Sequence, residues 1–81
     1  MIYYLYIVKC VDETFYTGIT LDIKRRVSEH NTSKVGAKYT RSRRPVKLVY
    51  SKKYRSHKLA AKAELKVKRL SRPAKLKLIK K

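Results

Sequence analysis

Ile2-Tyr3-Tyr4-Leu5-Tyr6-Ile7-Val8-Lys9-Cys10 is the stretch on which the fold turns. It is dense in β-branched and aromatic residues, the types that fit a pleated surface. Its alternation puts Ile2, Tyr4, Tyr6 and Val8 on one face and Tyr3, Leu5 and Ile7 on the other. Both faces are apolar, so the spacing predicts a central strand covered on two sides. Asp12 and Glu13 suit a turn, and Thr14 to Ile19 reads as a second strand returning as a hairpin. Gly18 ends or kinks it.

Outward from the hairpin, Thr20 or Asp22 can cap a helix in which Ile23 and Val27 face the core. Arg26 and His30 lie one turn apart beside that apolar edge. Asn31 to Arg44 reads as a polar, basic loop containing Gly36 and closed by Pro45. Val46 to Ser51 alternates as a third strand, with Val46, Leu48 and Tyr50 on one face. Ser56 can cap a further helix whose buried stripe is expected to be Leu59, Ala63, Val67 and Leu70. Ser71 and Pro73 restart the chain into a last short helix, where Leu76 and Ile79 can pack. The predicted class is α+β, a small three-stranded antiparallel sheet flanked by helices in the order β-β-α-β-α-α. Its 81 residues suit a single domain with one modest core.

Composition narrows the partner. Lys and Arg number 23 against 5 Asp and Glu, giving a net charge of +18. Such a charge repels itself, and a bound polyanion offsets it. Apolar residues at 43% are too many for a disordered basic tail. No apolar run approaches the ~20 residues of a membrane span, and no secretory leader is expected at the start of the chain. Cys10 is the single cysteine. It cannot form an internal disulfide or, with two distant histidines, a zinc site, and it fits a reducing cytoplasm. A monomer is favoured.

Acids are scarce enough to interpret one by one. Asp22 is explained by a helix start, and Glu29 by the exposed side of the same helix. Glu64 has two readings. It can be a surface ion pair with Lys68, worth a few tenths of a kcal/mol. Or it can be a lone carboxylate at the edge of an apolar stripe, ringed by Lys58, Lys62, Lys66 and Lys68. The seven tyrosines are open in the same way: good sheet packers, or hydroxyls converging from adjacent strands.

Tyr4-Leu5-Tyr6, then Tyr16-Thr17-Gly18, then Arg26 ten residues after Tyr16, with Glu64 on a later helix, resemble the ordered motif of the GIY-YIG nucleases. FYTGIT, LDIKRRVSEHN and GAKYTRSRRPVKLVY resemble the small stand-alone bacterial branch. The resemblance covers nearly the whole chain. It implies that Tyr6 orients groups around the scissile phosphate and that Tyr16 is the general base or proton relay for water. It implies further that Arg26 neutralises phosphoryl charge, His30 lines the site, and Glu64 holds one divalent metal, Mg²⁺ or Mn²⁺, bound with substrate. A free tyrosine, with a pKa of about 10, is a weak base at neutral pH. The role therefore needs Arg26, the metal and the positive field to favour its phenolate.

Three positions depart from the pattern: Tyr4 stands for Gly, Leu5 for Ile, and Ile19 where several such nucleases carry Lys. Lys38 is a candidate to replace that lysine. Lys38, Tyr39, Arg41, Arg43 and Arg44 form a basic loop suited to phosphate contact and base stacking, or a solvated loop. The expected function is metal-dependent endonuclease action on nucleic acid, DNA before RNA. The alternative is a non-catalytic module that keeps the fold for binding DNA or structured RNA.

Overall fold

The computed structural model describes residues 1–32 and 37–80. Its elements run β1 (Tyr3–Lys9), β2 (Phe15–Thr20), α1 (Ile23–Thr32), α2 (Lys38–Arg41), β3 (Lys47–Tyr54), α3 (His57–Lys68) and α4 (Arg72–Lys80). The sheet is antiparallel in the order β2-β1-β3, so β1 is central as its two apolar faces require. Leu5, Tyr6, Ile7 and Val8 are buried in succession. Tyr6 and Val8 join Cys10, Val46, Tyr16 and Val27 on the α1 side. Leu5 and Ile7 join Val67, Phe15, Ile19, Ala63, Leu78 and Ile79 on the α3–α4 side.

Local signals place the ends of these elements. The hairpin turn is built on Asp12, whose carboxylate accepts from the Thr14 amide at 3.2 Å and the Thr14 hydroxyl at 2.6 Å. Glu13 takes the left-handed backbone there, at φ 71°. Asp22 caps α1 by accepting from Arg25 N at 3.1 Å, and Thr20 in turn accepts from Asp22 N. Ser56 caps α3, accepting from Leu59 N at 3.2 Å. Each cap satisfies an amide that the helix itself leaves unpaired.

Four expectations need correction. The predicted loop from Asn31 to Arg44 contains the end of α1 and a one-turn helix, α2, so the order gains an element; its Gly36 lies outside the described residues. The third strand runs on to Tyr54. Its expected face is broken by a bulge: Ile7 pairs with Tyr50 and Val8 with Leu48, leaving Val49 as the extra residue. Val49 and Tyr50 both pack inward, while Leu48 is exposed. In α3 the packed stripe is Ala60, Ala63 and Val67, with Leu59 at 48% exposure. Alanines face a sheet surface already filled by Leu5, Ile7, Phe15 and Ile19, where small side chains permit close approach. In α4, Leu78 packs beside Ile79, and Leu76 is exposed.

The correction to α3 moves Glu64. Residues 60, 63, 64 and 67 share one helical face, so Glu64 lies on the packed face rather than at its edge. Its side chain is 24% exposed.

Candidate functional site

Tyr6 and Tyr16 reach the same side of the sheet because of the strand register. Tyr6 lies opposite Gly18 and Val8 opposite Tyr16. The Tyr6 ring lies over Gly18: a methyl group added there would sit 2.6 Å from the Tyr6 hydroxyl oxygen and 2.8 Å from Cζ. Gly18 is thus required by the close approach of an aromatic ring.

Behind Tyr6 runs a buried polar chain. The Tyr6 hydroxyl is 2.8 Å from His30 Nε2, and His30 Nδ1 is 2.8 Å from Thr40 Oγ1. The Thr40 hydroxyl donates to the Ala37 carbonyl at 3.0 Å. At the other end, the Arg26 guanidinium lies beside the Tyr6 hydroxyl, where it opposes the rise of the phenol pKa. A carbonyl only accepts, so the Thr40 hydroxyl gives its single proton to Ala37 and accepts from His30 Nδ1, which leaves Nε2 to accept from the Tyr6 hydroxyl. His30 then carries its proton on Nδ1 and donates to Thr40, whose proton goes to Ala37. The direction of every bond follows. The 3.4 Å approach of Ala37 N to the same Nδ1 has no lone pair to meet in this arrangement.

Burial sets the protonation states. Burial first, then the nearby Tyr16 and Glu64 groups, pushes the Tyr6 phenol up to about 12 against the opposing pull of Arg26. Burial, with Arg26 and Arg44 nearby, drops His30 to about 4. At neutral pH Tyr6 is therefore a protonated donor and His30 a neutral imidazole. His30 is fully buried. It stands behind Tyr6 and holds it.

Tyr16 is half-buried. Its ring meets His30 edge-on at 5.2 Å and stacks on Tyr39 at 5.9 Å. The Arg43 guanidinium lies 4.1 Å over the Tyr39 ring, held by Asp12 at 3.0 Å and by the Tyr39 carbonyl at 2.8 Å. The Asp12 carboxyl is kept below its ordinary range, chiefly by the Thr14 hydroxyl and then by Arg43. Arg44 donates to the His30 carbonyl at 2.5 Å. Of the five expected phosphate-contacting residues, Tyr39, Arg43 and Arg44 make contacts that tie them to the site, Tyr39 while 39% exposed, whereas Lys38 and Arg41 are exposed. Asn31 fastens the end of α1 to β3, bonding Val46 N at 2.6 Å and Val46 O at 3.1 Å.

Arg26 is 26% exposed and pairs with Glu29 at 3.0 Å. Glu29 was expected on the exposed side of α1. It is 20% exposed and also takes Arg25 at 3.2 Å. Sequence reading missed Glu29, Thr40, Asn31 and Asp12. A carboxylate three residues after Arg26 was the one available signal for Glu29, and ordinary surface pairing hid it.

Tyr6, Tyr16, Arg26 and His30 are therefore in one connected group. Glu64 pairs directly with Lys68 at 3.4 Å. Among the described residues no three His, Cys, Asp or Glu side chains cluster as metal ligands. One hard carboxylate fits a hydrated Mg²⁺ or Mn²⁺ shared with a substrate phosphate and does not make a stand-alone cage.

A profile described as the GIY-YIG catalytic domain matches residues 2–77. The chain belongs to the GIY-YIG family. A UPF0213 protein of Syntrophus aciditrophicus is 52% identical over 77 residues, covering 95% of this chain and 88% of the relative. A UPF0213 protein of Streptococcus agalactiae is 53% identical over 77 residues, 95% of this chain and 86% of its own length. The solution NMR structure of a UPF0213 protein from Bacillus halodurans is 44% identical, with a TM-score of 0.64 and coverage of 99% of this chain and 84% of that one. An NMR structure from E. faecalis gives 40% and a TM-score of 0.68 at the same coverage. The GIY-YIG fold, a three-stranded antiparallel sheet with helices, is thus shared with solved relatives, and nucleases of this family typically use divalent metals. No helix among the described residues is long and apolar enough to cross a membrane.

Proposed function

We propose that this GIY-YIG chain is a metal-dependent endonuclease that hydrolyses nucleic-acid phosphodiesters, with DNA preferred to RNA. The observation that carries the reading is that Tyr16 and Arg26 flank one buried Tyr6–His30 pair, Tyr16 by ring contact with His30 and Arg26 beside Tyr6. Hydrolysis needs an activated water and a neutralised phosphoryl group. Tyr6, held protonated with a pKa of about 12, serves as a hydrogen-bond donor beside Arg26. That leaves Tyr16 as the group that takes the proton of the attacking water. Arg26 meets the phosphoryl oxygens. Glu64 holds the divalent ion, which when bound offsets charge on the leaving oxygen. Lys38 and Arg41, with the net charge of +18, draw the backbone in.

The test is a panel of supercoiled, single-stranded and branched DNA and structured RNA, with Mg²⁺ or Mn²⁺. Nicking by the wild type that is lost in Arg26→Ala and Glu64→Ala, both folded, supports the proposal. Equal behaviour of wild type and Glu64→Ala sinks the catalytic reading. The Lys68–Glu64 contact favours a second reading, because the ammonium competes for the carboxylate a metal needs. In that reading the chain binds nucleic acid without cutting it. Salt-dependent affinity with no cleavage on the whole panel is its signature.

A further inference from the structure

Glu29 is the odd acid of this molecule. Asp12 is spent on a turn, Asp22 on a helix cap, Glu13 on an exposed pair with Lys9, and Glu64 on the packed face of α3. Glu29 shares a cleft with Arg26. That cleft, of about 210 Å³, is lined by Thr20, Leu21, Asp22, Arg25, Arg26 and Glu29. A carboxylate there opposes the approach of a polyanion, in a chain whose remaining charge is overwhelmingly positive.

The geometry shows what it does. One Glu29 oxygen takes Arg26 Nη1 at 3.0 Å, and the other takes Arg25 Nε at 3.2 Å. On its inner side the Arg26 guanidinium lies beside the Tyr6 hydroxyl. A planar guanidinium gripped by a carboxylate on one side and packed beside a buried hydroxyl on the other has its orientation restricted. Glu29 bonds Arg26, and beyond it bonds run from Tyr6 through His30 and Thr40 to the Ala37 carbonyl. A plain surface pair would be as open as Glu13, which is 68% exposed; Glu29 is 20% exposed.

We propose that Glu29 is a positioning residue that aims Arg26 at the scissile phosphate and, through its charge, holds down nucleic-acid affinity in favour of turnover. The turnover half rests on the nuclease reading above; the aiming and the affinity do not.

The experiment compares wild type with Glu29→Gln, Glu29→Ala and Glu29→Asp. The binding probe is a fluorescein-labelled DNA duplex in EDTA, titrated at several salt concentrations. In Glu29→Gln the affinity is expected to rise about threefold to tenfold at 0.1 M salt. The log–log salt slope steepens by up to about 0.9, as for one further phosphate contact. Rotation of the Arg26 guanidinium, followed by ¹⁵N NMR, is expected to speed up in Glu29→Ala. With Mg²⁺ or Mn²⁺ and saturating duplex, the cleavage rate of Glu29→Gln falls roughly tenfold while KM falls too. Glu29→Asp keeps the charge, so its affinity stays near that of wild type and its rate lies between the two. A merely structural role would shift the melting temperature and leave that opposition between binding and rate absent. Unchanged affinity and unchanged guanidinium rotation in Glu29→Gln and Glu29→Ala would overturn the proposal. A wild type that cuts nothing defeats the nuclease reading instead, and the binding and NMR measurements still decide Glu29.

Discussion

His30 makes the stability of this fold depend on pH in a way that can be worked out beforehand. Its imidazole is fully buried and drops from 6.5 to about 4. In the unfolded chain it takes up a proton near pH 6.5; in the folded chain it resists until about pH 4. Between those values the unfolded state holds more protons, so stability falls as the medium is acidified. The loss from this one group is about 1.4 kcal/mol at pH 5.5 and about 2.6 kcal/mol at pH 4.5. Domains of this size are stable by only about 4–12 kcal/mol, so the effect is a sizeable share. Urea unfolding followed by far-UV circular dichroism at pH 7.5, 6.5, 5.5 and 4.5 measures it. His30→Gln retains polar groups toward Tyr6 and Thr40 but does not titrate. It is expected to be less stable than wild type by about 1–3 kcal/mol at pH 7.5, and the gap should close as pH falls. Asp12 and Glu29, both held below the ordinary carboxyl range, contribute acid losses at lower pH that the two proteins share. Parallel pH profiles for wild type and His30→Gln would refute the buried neutral imidazole.

Other perturbations follow from the same contacts. Gly18→Ala drives a methyl group against the buried Tyr6 ring and is expected to cost about 1–3 kcal/mol in a chemical melt; a loss below about 0.5 kcal/mol would mean the ring gives way freely. Tyr6→Phe leaves His30 Nε2 buried without its donor, a cost of about 1–3 kcal/mol in the same assay, and cleavage should fall with it. Lys68→Met removes the ammonium from Glu64 with a stability change within about 0.5 kcal/mol. The Mn²⁺ concentration needed for half-maximal cleavage should fall, and an unaltered metal dependence would argue against Glu64 as the ligand.

The hairpin, the central strand and the spacing of Tyr6, Tyr16 and Arg26 were legible because they depend on local rules. A two-faced apolar run must be central, and a register of two puts Tyr6 and Tyr16 on one side. Both caps, Asp22 and Ser56, were legible for the same reason. The inward face of α3 was not. Leu59, Ala63, Val67 and Leu70 make a valid helical stripe, but the sheet surface had room for alanine, and the helix turned until Ala60, Ala63 and Val67 met it. That rotation carried Glu64 onto the packed face. Likewise the bulge at Val49 depends on how β3 meets β1, which no single strand encodes.

What the sequence determined by itself is the GIY-YIG order of its chemical groups and the charge that calls for a polyanion. Those are properties of position along the chain and of composition. The tertiary structure alone decided protonation and direction. Burial makes Tyr6 a donor and His30 a neutral imidazole, and the Ala37 carbonyl, able only to accept, orients the bonds from Thr40 back to Tyr6. Desolvation and hydrogen-bond direction depend on which groups surround a side chain in space, and residues from β1, α1 and α2 meet here only once the chain has folded.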